Sequence, residues 1–167
     1  RALAVLLACV LHACSPASEP VYHGTDIRSQ RFEPRLDLVD HLGVRRTLDD
    51  FRGKLVVIFF GYTHCPDVCP TTLADTATAL AALTPQEAAR IQVLFVTVDP
   101  ERDTAEMLRQ YVPYFDTTFL GLRGKPVEVA AAARTFRVVY RVHRRGANAG
   151  YTIDHTAGSF VLDATGQ

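Results

Sequence analysis

The sequence has no excess of charge of either sign. Its 18 lysines and arginines balance 18 aspartates and glutamates, so the formal net charge is zero. Domains that bind nucleic acid usually present a basic surface, and this balance argues against nucleic acid as a partner. Internal repeats and low-complexity segments are also absent. The 167 residues, 48% of them hydrophobic, therefore suit one domain with its own core.

Long hydrophobic runs are missing as well. Residues 2–11 are continuously apolar, but a helix that spans a bilayer needs about 20 apolar residues, so this run fits the core of an export signal. It continues into residues 11–14 (LHAC), which resemble a bacterial lipobox, in which the cysteine is acylated. We expect residues 1–14 to be a lipoprotein-type signal segment with a lipid anchor at Cys14. An ordinary cleaved signal peptide is the alternative.

Cysteine is scarce, with four in the chain. Cys9 would leave with the signal segment and Cys14 would carry lipid, so Cys65 and Cys69 alone would remain as thiols. The expected location is the bacterial cell envelope, with the domain anchored to a membrane in the periplasm or on the outer face of the cytoplasmic membrane. In such an oxidising compartment, two thiols form a disulfide unless they are reduced or bound to a metal. This pair therefore carries the predicted chemistry.

The rest of the chain reads as a flexible tether followed by a folded domain. Residues 15–30 are polar and contain proline and glycine, which is typical of a tether, and residues 31–167 form the domain. The segment at 55–60 is apolar throughout and the segment at 91–98 (IQVLFVTV) is mostly apolar, the pattern of strands covered on both faces. Other predicted elements are a hairpin over 36–48, helices over 70–83 and 127–136, short helices that start at Thr84 and near Thr104, and strands over 136–142 and 159–163.

Strands that alternate with helices predict an α/β fold. A thiol pair at a strand-to-helix junction favours a thioredoxin-like architecture in particular, with a central mixed sheet flanked by helices and an N-terminal hairpin. Residues 163–167 form a turn signal that no strand follows. We therefore expect the C-terminal end of the domain to be truncated.

Two prolines predict where the thiols lie. Pro66 disfavours helical geometry at Cys65, and Pro70 is tolerated only in the first turn of a helix. Cys65 is therefore expected in the loop and Cys69 at or just before the first turn. The helix dipole there would favour thiolate over thiol, and thiolate serves both as a metal ligand and as a redox nucleophile.

The spacing between the thiols leaves several uses open. Thioredoxin-like oxidoreductases have two residues between their cysteines, whereas this chain has three. A wider loop can still close a disulfide, and it can also direct both sulfurs at a single ion. A purely structural disulfide is the third, less favoured use.

A metal site needs a further ligand, and histidine is the candidate. His155 lies just before the predicted strand at 159–163, which could return beside the cysteine loop. His64 adjoins a cysteine and is not expected to bind the same ion, His23 and His41 are expected to be solvent-exposed, and His143 lies among arginines. Two thiolates and one imidazole form a soft set that suits copper better than zinc, because structural zinc normally takes four ligands.

A second polar cluster, residues 99–104 (DPERDT), follows the predicted strand at 91–98. Parallel sheets place their sites at this edge. The simpler interpretation is that Asp103 or Thr104 caps a helix and that Asp99 and Pro100 form the turn before it. A supporting or docking role for Asp99 is the alternative.

Three segments in this order resemble the Sco/SenC family of copper-binding assembly factors for cytochrome c oxidase. They are residues 61–70 (GYTHCPDVCP), 99–104 and 154–156 (DHT), and the resemblance runs from Phe32 to the end. It implies a thioredoxin fold in which Cys65, Cys69 and His155 bind one copper ion, as Cu(I) or Cu(II). The implied partner is the oxidase subunit that carries the binuclear copper centre, and a further copper donor or a thiol reductant is a candidate partner.

The function follows as one of two hypotheses. A copper metallochaperone would use the two cysteines and His155 to help assemble the oxidase copper centre. A thiol–disulfide oxidoreductase would use Cys65 and Cys69 as a redox pair that reduces the cysteines of that centre or acts in redox signalling. We favour the metallochaperone over an enzyme. A peroxiredoxin-like peroxidase fits poorly, because Thr63 stands two residues before Cys65 and that family places threonine three before its reactive cysteine.

Overall fold

The computed structural model describes residues 23–30, 32–144 and 150–167. The chain divides into two compact units, residues 1–30 and 31–167. In the first unit, the Asp26 carboxylate accepts hydrogen bonds from the backbone and side chain of Arg28. The expected signal segment, its Cys14 anchor and the first half of the tether, residues 15–22, lie outside the described residues. Within the described ranges, no helix combines the length and apolar character that crossing a bilayer requires.

The domain begins with the predicted hairpin. Strands β1 (Asp37–Asp40) and β2 (Arg45–Thr47) pair in antiparallel register, and the buried Asp40 carboxylate accepts hydrogen bonds from the backbone N–H groups of the turn between them. The expectation that His41 is solvent-exposed is wrong, since this side chain is 4% exposed. Because β1 also pairs with a later strand, the turn packs against that strand, and His41 Nδ1 accepts a hydrogen bond from Gly121 N–H at 3.0 Å.

The remaining elements alternate between strand and helix before the chain ends in three strands. In order they are β3 (Leu55–Gly61), α1 (Val68–Ala81), α2 (Pro85–Ala88), β4 (Ile91–Thr97), α3 (Ala105–Tyr111), β5 (Leu120–Arg123), α4 (Pro126–Thr135), β6 (Tyr140–Arg144), β7 (Tyr151–His155) and β8 (Ser159–Leu162). Short 3-10 turns at Leu48–Phe51 and Val112–Tyr114 complete the described structure. Thr84 and Thr104 cap α2 and α3 through their side chains, as predicted.

Six strands form one mixed sheet in the order β2-β1-β5-β4-β3-β8. The central strands β3, β4 and β5 are parallel, and β1 and β8 add to them in antiparallel register. Most side chains at the middle of β3 and β4 are almost completely buried, which explains the continuous apolar run of β3 and the mostly apolar sequence of β4. The predicted α/β fold with a central mixed sheet is confirmed.

Strands β6 and β7 form a separate two-stranded ribbon. The prediction started β6 at residue 136, but Arg137 has a φ of 56°, a left-handed conformation that interrupts extended backbone, and the strand begins at Tyr140. The prediction also missed β5 and β7. In β5, glycine hid the strand pattern: a methyl group on Gly121 would lie 2.9 Å from Val112 Cγ2, so the close packing around the strand requires glycine.

Candidate metal centre

Three elements bring Cys65, Cys69 and His155 together. Cys65 lies in the loop after β3, Cys69 is the second residue of α1, and His155 is the last residue of β7. Their ligand atoms all lie within 4.8 Å of one another, and 3.4 Å separates Cys69 Sγ from His155 Nε2. Both cysteines are free thiols and are buried. The residues singled out from the sequence therefore form one compact cluster.

The start of α1 and the end of β3 fix the position of Cys69. The helix begins at Val68, two residues before the predicted start, and Pro70 falls in its first turn, where a missing N–H is tolerated. At the end of β3, a Cβ on Gly61 would lie 2.7 Å from Cys69 Sγ and 2.9 Å from the Phe59 ring. Gly61 therefore leaves the space that the buried sulfur fills.

The protonation state of Cys69 differs from the expectation. Burial raises the pKa of the Cys69 thiol, and an opposing hydrogen bond from the backbone of Tyr62 does not offset this effect. The prediction of a thiolate at this helix start is wrong for Cys69, because the loss of hydration on burial outweighs the helix dipole. Without a cation Cys69 is a neutral thiol, and binding of a metal ion would release its proton.

The tautomer of His155 is set by its neighbour in the chain. Its Nδ1 lies 3.0 Å from the carbonyl oxygen of Thr156; because a carbonyl only accepts, Nδ1 carries the proton. The lone pair on Nε2 is left facing Cys69 Sγ, the arrangement that metal-binding histidines require. The rings of Phe59 and Tyr62 contact the imidazole edge-on, each with a centroid distance of 5.9 Å, and hold it in place.

Asp103 connects the cysteine loop to the end of β4. Its buried carboxylate accepts hydrogen bonds from Thr63 N–H (3.0 Å), Thr63 Oγ1 (2.6 Å) and Thr97 Oγ1 (2.6 Å). Burial raises the pKa of Asp103, and these hydrogen bonds oppose the rise. Of the two capping candidates, Thr104 caps α3 and Asp103 instead holds the loop that carries Cys65. Thr63 and Thr97 were the sequence signal for this role of Asp103, since both lie at the carboxyl ends of adjacent parallel strands.

The remaining sequence candidates lie outside the cluster. His64 is half-exposed, with Nδ1 3.9 Å from an Asp103 carboxylate oxygen, and His23 is exposed in the first unit. His143 lies 2.8 Å from the Asp154 carboxylate on the ribbon. Asp99 is 3% exposed and accepts a hydrogen bond from the Tyr151 hydroxyl at 2.7 Å, so it does more than form a turn.

Sequence reasoning did not single out the residues that surround the cluster. Four such residues contact a cluster residue or the segment that carries one: Gly61, Tyr62, Arg102 and Tyr151. Two of them, Gly61 and Tyr62, lie inside the segment that resembles the cysteine motif, and Arg102 lies inside the second segment. Their positions in these segments were the available signal, and their roles depend on contacts between distant parts of the chain.

Comparison with known proteins identifies the family. The SCO1/SenC family model matches residues 24–167. The chain is 38% identical over 130 residues to the human mitochondrial SCO2 homolog, covering 77% of this chain and 49% of that protein. It is 33% identical over 132 residues to the SCO2-like protein of Rickettsia felis, covering 78% and 64%. The chain thus spans about half the length of the first relative and under two thirds of the second.

Solved structures agree with this result. The structure of Bradyrhizobium japonicum ScoI with copper bound is 38% identical with a TM-score of 0.75, and the match covers 80% of this chain and 83% of that one. The solution structure of apo Sco1 from Thermus thermophilus is 39% identical with a TM-score of 0.77, covering 89% and 86%. The predicted thioredoxin-like fold and the predicted family are confirmed. A family model that matches most of the chain, together with relatives and structures of this similarity, shows that the chain belongs to the SCO1/SenC family.

Proposed function

We propose that Cys65, Cys69 and His155 bind one copper ion, and that the protein is a copper metallochaperone that assists the assembly of the binuclear copper centre of cytochrome c oxidase. The convergence of two sulfurs and one imidazole nitrogen within 4.8 Å carries the proposal. Two thiols with one imidazole match the preference of Cu(I) for soft ligands, and imidazole also suits Cu(II). The relatives from Bradyrhizobium japonicum and yeast, 38% and 32% identical, have structures with copper bound, which supports the choice of metal.

The burial of the ligands suggests how the ion would enter and leave. Cys69 is completely buried, Cys65 is 8% exposed and His155 is half-buried. An acceptor site can therefore approach Cys65 and His155 first, while the buried Cys69 still holds the ion. Exchange of one ligand at a time would pass copper to the acceptor without releasing it into solution.

Anaerobic titration of the full chain with Cu(I) tests the ligand assignment. We expect one ion per wild-type chain and much weaker binding by Cys65→Ser, Cys69→Ser and His155→Ala. His143→Ala, which removes a histidine from the same ribbon but outside the cluster, is the matched control and should bind like the wild type. Unchanged affinity in His155→Ala would contradict the assignment.

A second candidate function uses the same thiols without copper. Cys65 and Cys69 are free and close together, so they could reduce a target disulfide. The more accessible Cys65 would form a mixed disulfide and release one target thiol. Attack by Cys69 would then release the second thiol and leave a Cys65–Cys69 disulfide, with two electrons and two protons passed to the target. Reduction of an oxidised oxidase copper-site peptide that needs both cysteines but not His155 would support this role.

We also propose that a lipid on Cys14 anchors the domain in the bacterial cell envelope. The support is the apolar run at residues 2–11 followed by a lipobox-like tetrapeptide. Labelling with a radioactive fatty acid in a bacterial host should mark the wild type and not Cys14→Ala. Equal labelling of both would contradict the proposal.

A further inference from the structure

Among the residues that the structure describes, the ribbon that carries His155 has no backbone ladder to the six-stranded sheet. Its orientation relative to the cysteine loop therefore depends on other contacts. One lies at the middle of β7, where Ile153 N–H donates to the Tyr62 hydroxyl at 3.3 Å. Another lies at the start of β7, where Arg102 Nη1 donates to the Tyr151 carbonyl at 2.9 Å. Arg102 thus fixes the end of the strand opposite to His155.

The guanidinium of Arg102 also bridges two aromatic rings. It lies 3.7 Å from the ring centroid of Tyr151, in the ribbon, and 5.6 Å from that of Tyr62, at the entrance to the cysteine loop. Both distances fall within the range of cation–π attraction. Tyr62 is connected directly to the site, because its carbonyl accepts a hydrogen bond from Cys65 N–H. One side chain therefore contacts both the segment that leads to His155 and the segment that leads to Cys65.

Arg102 is itself held by the carboxylate of Asp99. This carboxylate accepts hydrogen bonds from Arg102 Nε and from the Tyr151 hydroxyl. Burial and the contact with Asp99 raise the pKa of Tyr151 to about 12, so the hydroxyl stays protonated and remains a donor. Asp99, Arg102 and Tyr151 therefore contact one another in a closed network. Because of these contacts, a movement of Arg102 would also displace the start of β7.

We propose that Arg102 is a positioning residue for His155, and that it holds β7 against the cysteine loop so that the imidazole reaches the two thiols. The inference rests on the proposed copper function, with His155 as a ligand. The rigid fork of an arginine is suited to this task, since it donates in two directions while its face stacks on a ring.

A double-mutant cycle in the full chain tests the proposal. Arg102→Met removes the hydrogen bonds and the charge, and we expect it to weaken Cu(I) binding by about 10- to 100-fold in an anaerobic competition titration, as for other residues that orient metal ligands. In the His155→Ala background the same substitution should have no further effect, because the ligand it positions is gone. In the metal-free protein, the Ile153 amide should exchange with solvent faster in Arg102→Met than in the wild type.

Arg109→Met is the matched control. Arg109 also pairs with a carboxylate three residues away and donates to a backbone carbonyl, that of His41, but it holds the hairpin rather than the ribbon. This variant should keep wild-type Cu(I) affinity and Ile153 exchange. If Arg102→Met does not fold, Arg102→Lys takes its place in the cycle with the same expectations.

Three outcomes overturn the inference: wild-type affinity in Arg102→Met, equal weakening in the presence and absence of His155, or unchanged Ile153 exchange. Failure of the wild-type chain to bind Cu(I) would instead refute the proposed function. In that case the exchange rate of the Ile153 amide still decides whether Arg102 holds β7.

Discussion

At the scale of single residues, the absence of a side chain at Gly61 shapes the site as much as the ligands do. Its ideal Cβ would overlap Cys69 Sγ and the rings of Phe59 and Phe95. These three groups are buried, so none can move aside into solvent. Space for the sulfur therefore depends on one missing methyl group.

Gly61→Ala should destabilise the fold by about 1–3 kcal/mol, the usual cost of overpacking a core, and should weaken copper binding by displacing Cys69. Thermal unfolding and Cu(I) titration measure the two effects. Gly158→Ala is the control, because a Cβ there meets no atom within 4 Å. Equal melting temperatures for the two variants would show that β3 shifts to accept the methyl group.

The buried His41 should make the folding stability of the domain depend on pH. Burial lowers its pKa from the usual 6.5, aided by Arg109 and opposed by Asp40. As the pH falls below the usual value, the unfolded chain binds a proton before the folded protein does. The stability contributed by neutral His41 is therefore present above that pH and is lost as the pH falls through the lowered pKa.

Urea unfolding from about pH 7 down to about pH 5 checks this prediction. Part of the loss of stability in the wild type should disappear in His41→Asn, whose side-chain oxygen can still accept the Gly121 N–H. A pH dependence that is identical in both proteins would exclude His41 as its source.

At the scale of elements, local pattern predicted some strands and missed others. The apolar runs at 55–60 in β3 and 93–96 in β4 contain at least four residues and no glycine, so their identity as buried strands was clear from the sequence. The strands β5 and β7 were missed because Gly121 interrupts one and because the polar and charged residues of the other form a ribbon outside the main sheet. The strand character of β5 comes from pairing with β1 and β4, which are distant in the chain, and that of β7 comes from pairing with the neighbouring strand β6.

The candidate site, like the strands, was predicted in part. Proline positions and cysteine spacing predicted a loop and a helix start for Cys65 and Cys69, and His155 was the histidine selected. The role of Asp103 was not predictable, because a carboxylate before a helix looks like a cap. Its bonds to Thr63 and Thr97 depend on the register of β3 and β4, which is a property of the folded sheet.

Asp103→Asn tests the connection between β4 and the cysteine loop. The amide replaces an acceptor oxygen with a donor that faces other donors, so we expect a loss of about 1–3 kcal/mol in unfolding free energy and weaker Cu(I) binding. Asp116→Asn is a matched control, since Asp116 also accepts from the backbone and hydroxyl of a threonine, Thr118, but in an exposed turn. Similar losses in both variants would refute a special role for Asp103.

At the scale of the whole molecule, the cluster joins positions that are 86 residues apart in the chain, Cys69 and His155. The thiols belong to the connection between β3 and α1, whereas the imidazole belongs to the ribbon. In unfolded chains these groups are far apart, so an ion that needs all three binds the folded protein much better than the unfolded chain. Copper binding and folding stability should therefore be coupled.

Cu(I) should raise the thermal unfolding temperature of the full chain under anaerobic, reducing conditions. A free ion concentration of 100 times the dissociation constant stabilises a one-site protein by about 2.7 kcal/mol. The rise should be much smaller in His155→Ala, because its two remaining ligands are four residues apart and can also hold the ion in the unfolded chain. His143→Ala should respond like the wild type. An equal rise in His155→Ala and the wild type would mean that copper is held by the cysteine loop alone and that the ribbon contributes no ligand.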